Sequence, residues 1–241
     1  MDTFSNVFGW FSDGEHWSGS DGVPARVLEH LQMSFGAVLL AALIALPVGL
    51  YIGHTRKGTF VAVSIANLGR AIPSFAILAL AVPFLGIGFK PTLVTLVVLA
   101  IPPILTNTYV GVQGVDRDTV ESARGMGMTG GQVLRRLELP LSVPLMLAGL
   151  RTSAVQVVAT ATLAALIGWG GLGRYIIDGF ATGDRVEVVA GAILVAVVAI
   201  LTETVFGVVQ RALSPRTASD RRRVLPAFRT AGQVGAPGQG I

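Results

Sequence analysis

Cysteine is absent from the 241 residues, which removes a disulfide framework, a zinc cluster and a thiol nucleophile together. Charge is scarce: Asp, Glu, Lys and Arg make up 13% of the chain, about half the share of an ordinary soluble domain. No Gly-x-x-x-x-Gly-Lys-Ser/Thr phosphate loop occurs, so the chain is not its own ATPase by that route. Before the first long apolar run, near Leu31, the amino end carries Asp2 and no early Lys or Arg, and a cleaved signal peptide is not expected. His16, His30 and His54 are scattered, and no acid, base, nucleophile or metal-ligand set converges on them.

What remains is apolar. Hydrophobic residues make up 52% of the chain and the mean hydropathy is +0.68, more than a soluble fold of this size can hide. They gather in runs of about 20, the length a helix needs to cross a hydrocarbon core of about 30 Å. A transmembrane β-barrel would need alternating segments of about 10 residues, and stretches such as GAVLLAALIALPVGLYIG do not alternate. The sequence therefore predicts an all-α polytopic helix bundle with five spans, near 30–53, 59–85, 91–111, 142–167 and 187–211. The second span is a candidate for splitting at Ile72-Pro73, where proline removes a helix donor and Arg70 interrupts the apolar run. Residues 1–29 form an external segment whose Phe4, Phe8, Trp10, Phe11 and Trp17 are spaced for an interfacial helix or belong to a partly ordered tail. Residues 30–212 are the membrane domain, and 213–241 are read as a disordered tail with too little apolar content to fold alone.

Basic residues orient the bundle. Arg56 and Lys57, then Arg117, Arg124, Arg135 and Arg136, then Arg211, Arg216, Arg221, Arg222, Arg223 and Arg229 fall on one side when five spans alternate. The other side receives Arg26, Lys90, Arg174 and Arg185. The amino end is thus expected outside and the carboxyl end in the cytoplasm of a bacterial inner membrane. The net charge of +4 is accounted for by span ends and tail, so no nucleic-acid partner is expected. Arg221–Arg223 read as a solvated charge run or a contact to anionic lipid.

The loop between the third and fourth spans, 116–140, is helical in pattern. Asp118 can cap a short helix through Ala123, which Gly125 or Gly127 can end. Thr129-Gly-Gly-Gln132 has capping-box spacing, and Leu139-Pro140 is expected to close that second helix before the fourth span. Two short helices at a membrane face suit docking.

Within this loop Glu121-Ser122-Ala123, then Gly127, then Leu137, Leu139 and Pro140 resemble the signature Glu-Ala-Ala, three residues, Gly, nine residues, Ile, one residue, Leu-Pro of binding-protein-dependent ABC importer permeases. Every spacing fits; Ser122 stands for the middle alanine and Leu137 for isoleucine. The resemblance implies the type I, methionine-importer-like permease fold, with Glu121, Ser122, Ala123, Arg124, Gly125, Gly127, Leu137, Leu139 and Pro140 forming the loop that couples to a separate ATPase. It further implies two permease subunits, identical or related, around one path; ATPase subunits that hold the ATP and magnesium; and an external substrate-binding protein. This chain would bind no cofactor. Over about 28–213, the runs RAIPSFAILAL, PPILTNTYVGV, GMGMT, ELPL and LIGWGGLGRYIIDG resemble the branch importing glycine betaine, choline, carnitine or proline. A permease for another amino acid or nutrient, an ion-coupled secondary transporter and a membrane enzyme are the rival readings.

Two Gly-x-Gly-x-x-Gly segments, at Gly125, Gly127 and Gly130 and at Gly168, Gly170 and Gly173, follow no strand and are read as turns. Polar residues within spans normally face a bundle interior or a watery path. Asn67, Arg70 and Asn107, with the kink at Pro73, are candidates for a translocation path or for packing hydrogen bonds. Arg151 and Glu203 are expected near an interface or paired within the bundle.

Overall fold

The computed structural model describes residues 2–213, excepting the side chains of residues 2–4 and of Arg70; the tail from residue 214 onward lies outside the described residues. All regular structure among them is helical. A short helix, α1 (Asp2–Ser12), precedes a long one, α2 (Val23–Thr55), which starts seven residues before the expected span because Gly22 and Pro24 open the helix before the apolar run begins. Then come α3 (Thr59–Ala71), α4 (Ser74–Leu85) and α5 (Phe89–Gln113).

The expected second span is two helices, α3 and α4, meeting at 90°. Pro73 disfavours helical geometry at the residue before it, and Ile72 is extended at φ −80°, ψ 124°. Among the described residues, four helices are long and apolar enough to cross a membrane, or five if the bent pair counts as one.

After α5 come the loop helices α6 (Arg117–Gly125) and α7 (Gly130–Val133), a π turn (Leu134–Glu138) and α8 (Leu139–Thr160), extended by a 3₁₀ turn (Ala161–Ile167). The chain closes with α9 (Gly173–Thr182) and α10 (Arg185–Leu213). Leu139-Pro140 does not close the second loop helix, contrary to expectation. Proline has no N–H, and the helix absorbs the loss by widening to the π turn, in which the Leu139 N–H bonds to the Leu134 carbonyl five residues back. Gly130–Ile167 is consequently one rod of 38 residues, about 57 Å long at 1.5 Å per residue, so its first turns stand clear of the hydrocarbon.

The core lies between α2, α5 and α8, where Met33, Ala37, Ala41, Ala45, Leu96, Ala100, Ile104, Ala154 and Val157 are buried together. Apolar side chains gain little from leaving lipid for one another, so the association depends on close backbone approach. Gly49 and Gly53 of α2 supply it: a Cβ on Gly49 would lie 2.7 Å from Thr108 Cβ, and one on Gly53 would lie 2.5 Å from Val112 Cβ. Gly149 of α8 lies against Asn107, and Ser153 donates a hydrogen bond to the Ala100 carbonyl at 3.1 Å.

A second cluster joins Trp10 of α1 to Tyr175, Ala190 and Val198, so α1 packs on α9 and α10 at the end of the bundle where α2 begins. There Arg26 pairs with Asp21 and Glu29, and Glu29 accepts from the Gly171 N–H at 2.8 Å. Gly168 and Gly171 hold φ of +78° and +84°, folding the chain back beside Trp169 and Tyr175. The glycine run thus acts as a reversal. Arg151 pairs with Glu203 across α8 and α10, and Gly207 lies beside the guanidinium.

Candidate functional site

At the opposite end the loop projects from the bundle. Asp116 caps α6: its carboxylate accepts from the Thr119 N–H at 2.8 Å and from the Thr119 hydroxyl at 2.9 Å. These bonds favour the charged form and hold the Asp116 carboxyl below the usual carboxylate range. The cap is Asp116 and not Asp118, which sits in the first turn, because only a residue outside the helix can turn its side chain back onto the free N–H groups.

The other end of α6 closes in a Schellman arrangement. Gly127 adopts φ +86°, its N–H donates to the Arg124 carbonyl at 2.9 Å, and the Met128 N–H donates to the Ala123 carbonyl at 3.1 Å. The capping box at Thr129 and Gln132 is formed, the Thr129 N–H donating to Gln132 Oε1 at 2.8 Å. Such caps contribute about 1 kcal/mol each, which a helix as short as α7 needs.

Ala123 and Val133 are buried and hold the two loop helices down, while Glu121, Ser122, Arg124, Gly125, Met126 and Gly127 are exposed. Met126 is 79% exposed, an apolar side chain on the loop that also exposes Glu121 and Arg124. Leu137 and Leu139 are half-buried at the π turn and Pro140 is exposed where the rod enters α8.

A model of the family described as "Binding-protein-dependent transport system inner membrane component" matches residues 37–219. The chain belongs to this family. It is 39% identical over 188 residues to a glycine betaine/carnitine/choline transport system permease protein of Bacillus subtilis (strain 168), covering 78% of this chain and 87% of that one. It is 40% identical over 190 residues to a choline transport system permease protein of the same organism, covering 79% and 88%. Among solved structures, a chain of the MetNI methionine ABC transporter in inward-facing form superposes with a TM-score of 0.70 at 24% identity, covering 78% of this chain and 94% of that one, a likeness of fold. The chain is thus a multi-pass inner-membrane permease subunit with the type I importer fold.

The structure places the residues expected to line the path on α3, at the bend after it and on α5. Asn67 is exposed on α3 and Pro73 exposed at the bend. Asn107 is half-buried on α5, where its amide donates to the Pro103 carbonyl at 2.8 Å and its Cβ packs on Gly149. Arg70 lies on α3, and its side chain is outside the described set.

One pair at the site went unread in the sequence. His54 Nδ1, at the end of α2, lies 2.5 Å from Glu138 Oε2 of the π turn, and Glu138 is buried. The 84-residue separation carries no periodic signal; a titratable residue on each side of a predicted membrane boundary was the available clue.

Proposed function

We propose that this permease forms the path of an importer for osmoprotectants of the glycine betaine, choline and carnitine class, driven by a separate ATPase that docks on loop 116–140 from the cytoplasm. The observation that carries the docking is mechanical: the exposed, capped α6 leads through the Gly127 turn to α7, and α7 runs without a break into α8, so a push on the loop reaches the bundle core along a continuous helix from Gly130 onward. Glu121 offers a carboxylate to a basic partner residue, exposed Met126 offers an apolar contact, and Gly127 sets the angle between the helices. The substrate class comes from relatives named for these quaternary amines at about 40% identity.

Two such subunits, identical or related, enclose the path, and an external binding protein delivers the substrate. ATP and magnesium reside on the ATPase, whose closure drives the bundle between inward-open and outward-open forms. Asn67, Arg70, Pro73 and Asn107 are the residues proposed for the path, α3 and α4 presenting their large apolar side chains to a partner or to lipid. The amino end lies outside and the tail inside.

Reconstitution with the cognate ATPase and binding protein tests the reading. Labelled betaine, choline and carnitine are expected to be taken up, while Glu121→Lys is expected to insert normally yet lose the co-purifying ATPase and the uptake. Normal uptake by that variant would remove the docking assignment, and uptake of none of these amines would remove the substrate class. The chain's lack of cysteine makes orientation simple to check: Ser122→Cys should react with an impermeant maleimide only in inverted vesicles, and Ser18→Cys only in right-side-out cells.

A further inference from the structure

The rod from Gly130 to Ile167 drives α8 directly, but α2 reaches the loop through side chains alone. His54 occupies that junction. Its Nδ1 meets Glu138 Oε2 at 2.5 Å, and its Nε2 lies near Gly130, where an added Cβ would be in ordinary contact at 3.4 Å. The imidazole is therefore held by the π turn and neighbours the first residue of α7. On the α2 side, Gly53 precedes it, locked against Val112 of α5 so closely that no side chain fits between. Glu138 is 5% exposed, an arrangement whose desolvation requires a partner.

We propose that His54 and Glu138 are positioning residues, a strut that carries displacement of the docking loop sideways into α2 and, through Gly53 and Gly49, into α5. This rests on the assignment of loop 116–140 as the ATPase dock. With the strut in place, α2, α5 and α8 move as one block; without it, only α8 follows the loop. The bond persists through the transport cycle, because a strut that opened would transmit nothing.

The test uses the complete reconstituted importer and compares His54→Ala, Glu138→Ala, the double variant and His54→Gln, whose amide can still donate to the carboxylate. The readouts are ATPase retention on the purified permease and substrate moved per ATP hydrolysed. His54→Ala and Glu138→Ala are each expected to keep the ATPase but to lower substrate per ATP about tenfold. The double variant is expected to be no worse than either single, and His54→Gln to recover most of the loss. Unchanged coupling in His54→Ala, or losses that multiply in the double variant, would overturn the strut. Failure of the docking assignment is separate, since it shows as normal uptake by Glu121→Lys.

Where an alanine variant fails to fold, the paired replacement His54→Cys with Glu138→Cys decides the matter in this cysteine-free chain. A short bifunctional methanethiosulfonate, which spans the gap left by the two side chains, is expected to join the positions and leave uptake intact. Loss of uptake on cross-linking that returns on reduction would show that the two must part during the cycle, and failure of the reagent to cross-link would show that they are not adjacent; either result refutes the proposal.

Discussion

Gly49→Ala adds one methyl group at a close approach of α2 to α5, and its cost can be worked from the geometry. The new Cβ would sit 2.7 Å from Thr108 Cβ and 3.2 Å from the Leu105 carbonyl. Both atoms are fixed by the α5 backbone, so no change of rotamer relieves the clash. The helices must instead separate by about 0.7 Å to restore ordinary contact. A gap of that size forfeits about a quarter to a half of each atom-pair attraction of about 0.1–0.2 kcal/mol. Over the few tens of pairs at a helix crossing this comes to about 1–3 kcal/mol, the usual cost of overpacking. Alanine also favours the helix over glycine by about 1 kcal/mol, which would mask part of the effect. Gly36→Ala, in the same helix with nothing within 4 Å of the added atom, carries that gain without the clash. The difference between the two variants isolates the clash, and at about 2–4 °C per kcal/mol it amounts to about 2–12 °C in Tm. Thermal unfolding in detergent, followed by tryptophan fluorescence, reads it. Equal Tm values for the two variants would refute the argument that α2 and α5 are held by backbone proximity.

Gly127→Val forces a β-branched residue to φ +86° and should destabilise the α6 terminus by about 1–2 kcal/mol, seen as faster amide exchange at Met128 with the spans unaffected. Burial pushes the Tyr175 phenol up to about 12, against the lowering effect of nearby Arg26. Because its folded pKa is raised, its contribution to stability is complete below the unfolded value of about 10 and is lost as pH rises through about 12. The difference between phenolate titrations of the native protein and Tyr175→Phe should therefore have its midpoint near 12, and a midpoint near 10 would contradict the burial of this ring. Arg151→Ala leaves Glu203 without its partner across α8 and α10, so the double variant Arg151→Ala with Glu203→Ala should show a higher Tm than either single, and additive losses would contradict the pairing.

Local chemistry was legible wherever a few neighbouring residues decide it. The capping box at Thr129 and Gln132 depends on a spacing of three, and the reversal at Gly127 on a residue without a Cβ. Local spacing misplaced the α6 cap by two residues, since Asp116 and Asp118 offer the same carboxylate and only the observed start of the helix separates them. It also ended the second loop helix at Pro140, because a proline is a stop in sequence but can be absorbed by a π turn when the flanking helices are held in line by packing.

Hydropathy and the spacing of the loop signature are properties of the one-dimensional chain, and they were enough for a membrane bundle and its family; the twelve-to-four division of basic residues carries the proposed orientation. Insertion into lipid and a short signature motif depend on residue types at near range, so they survive being read in a line. Which glycines admit a neighbouring helix, how Ile72 and Pro73 turn one expected span through 90°, and the meeting of His54 with Glu138 depend on segments distant in the chain. Those were decided only when α2, α5 and α8 closed on one another, because close packing selects one mutual arrangement of the helices and each helix in isolation is compatible with many.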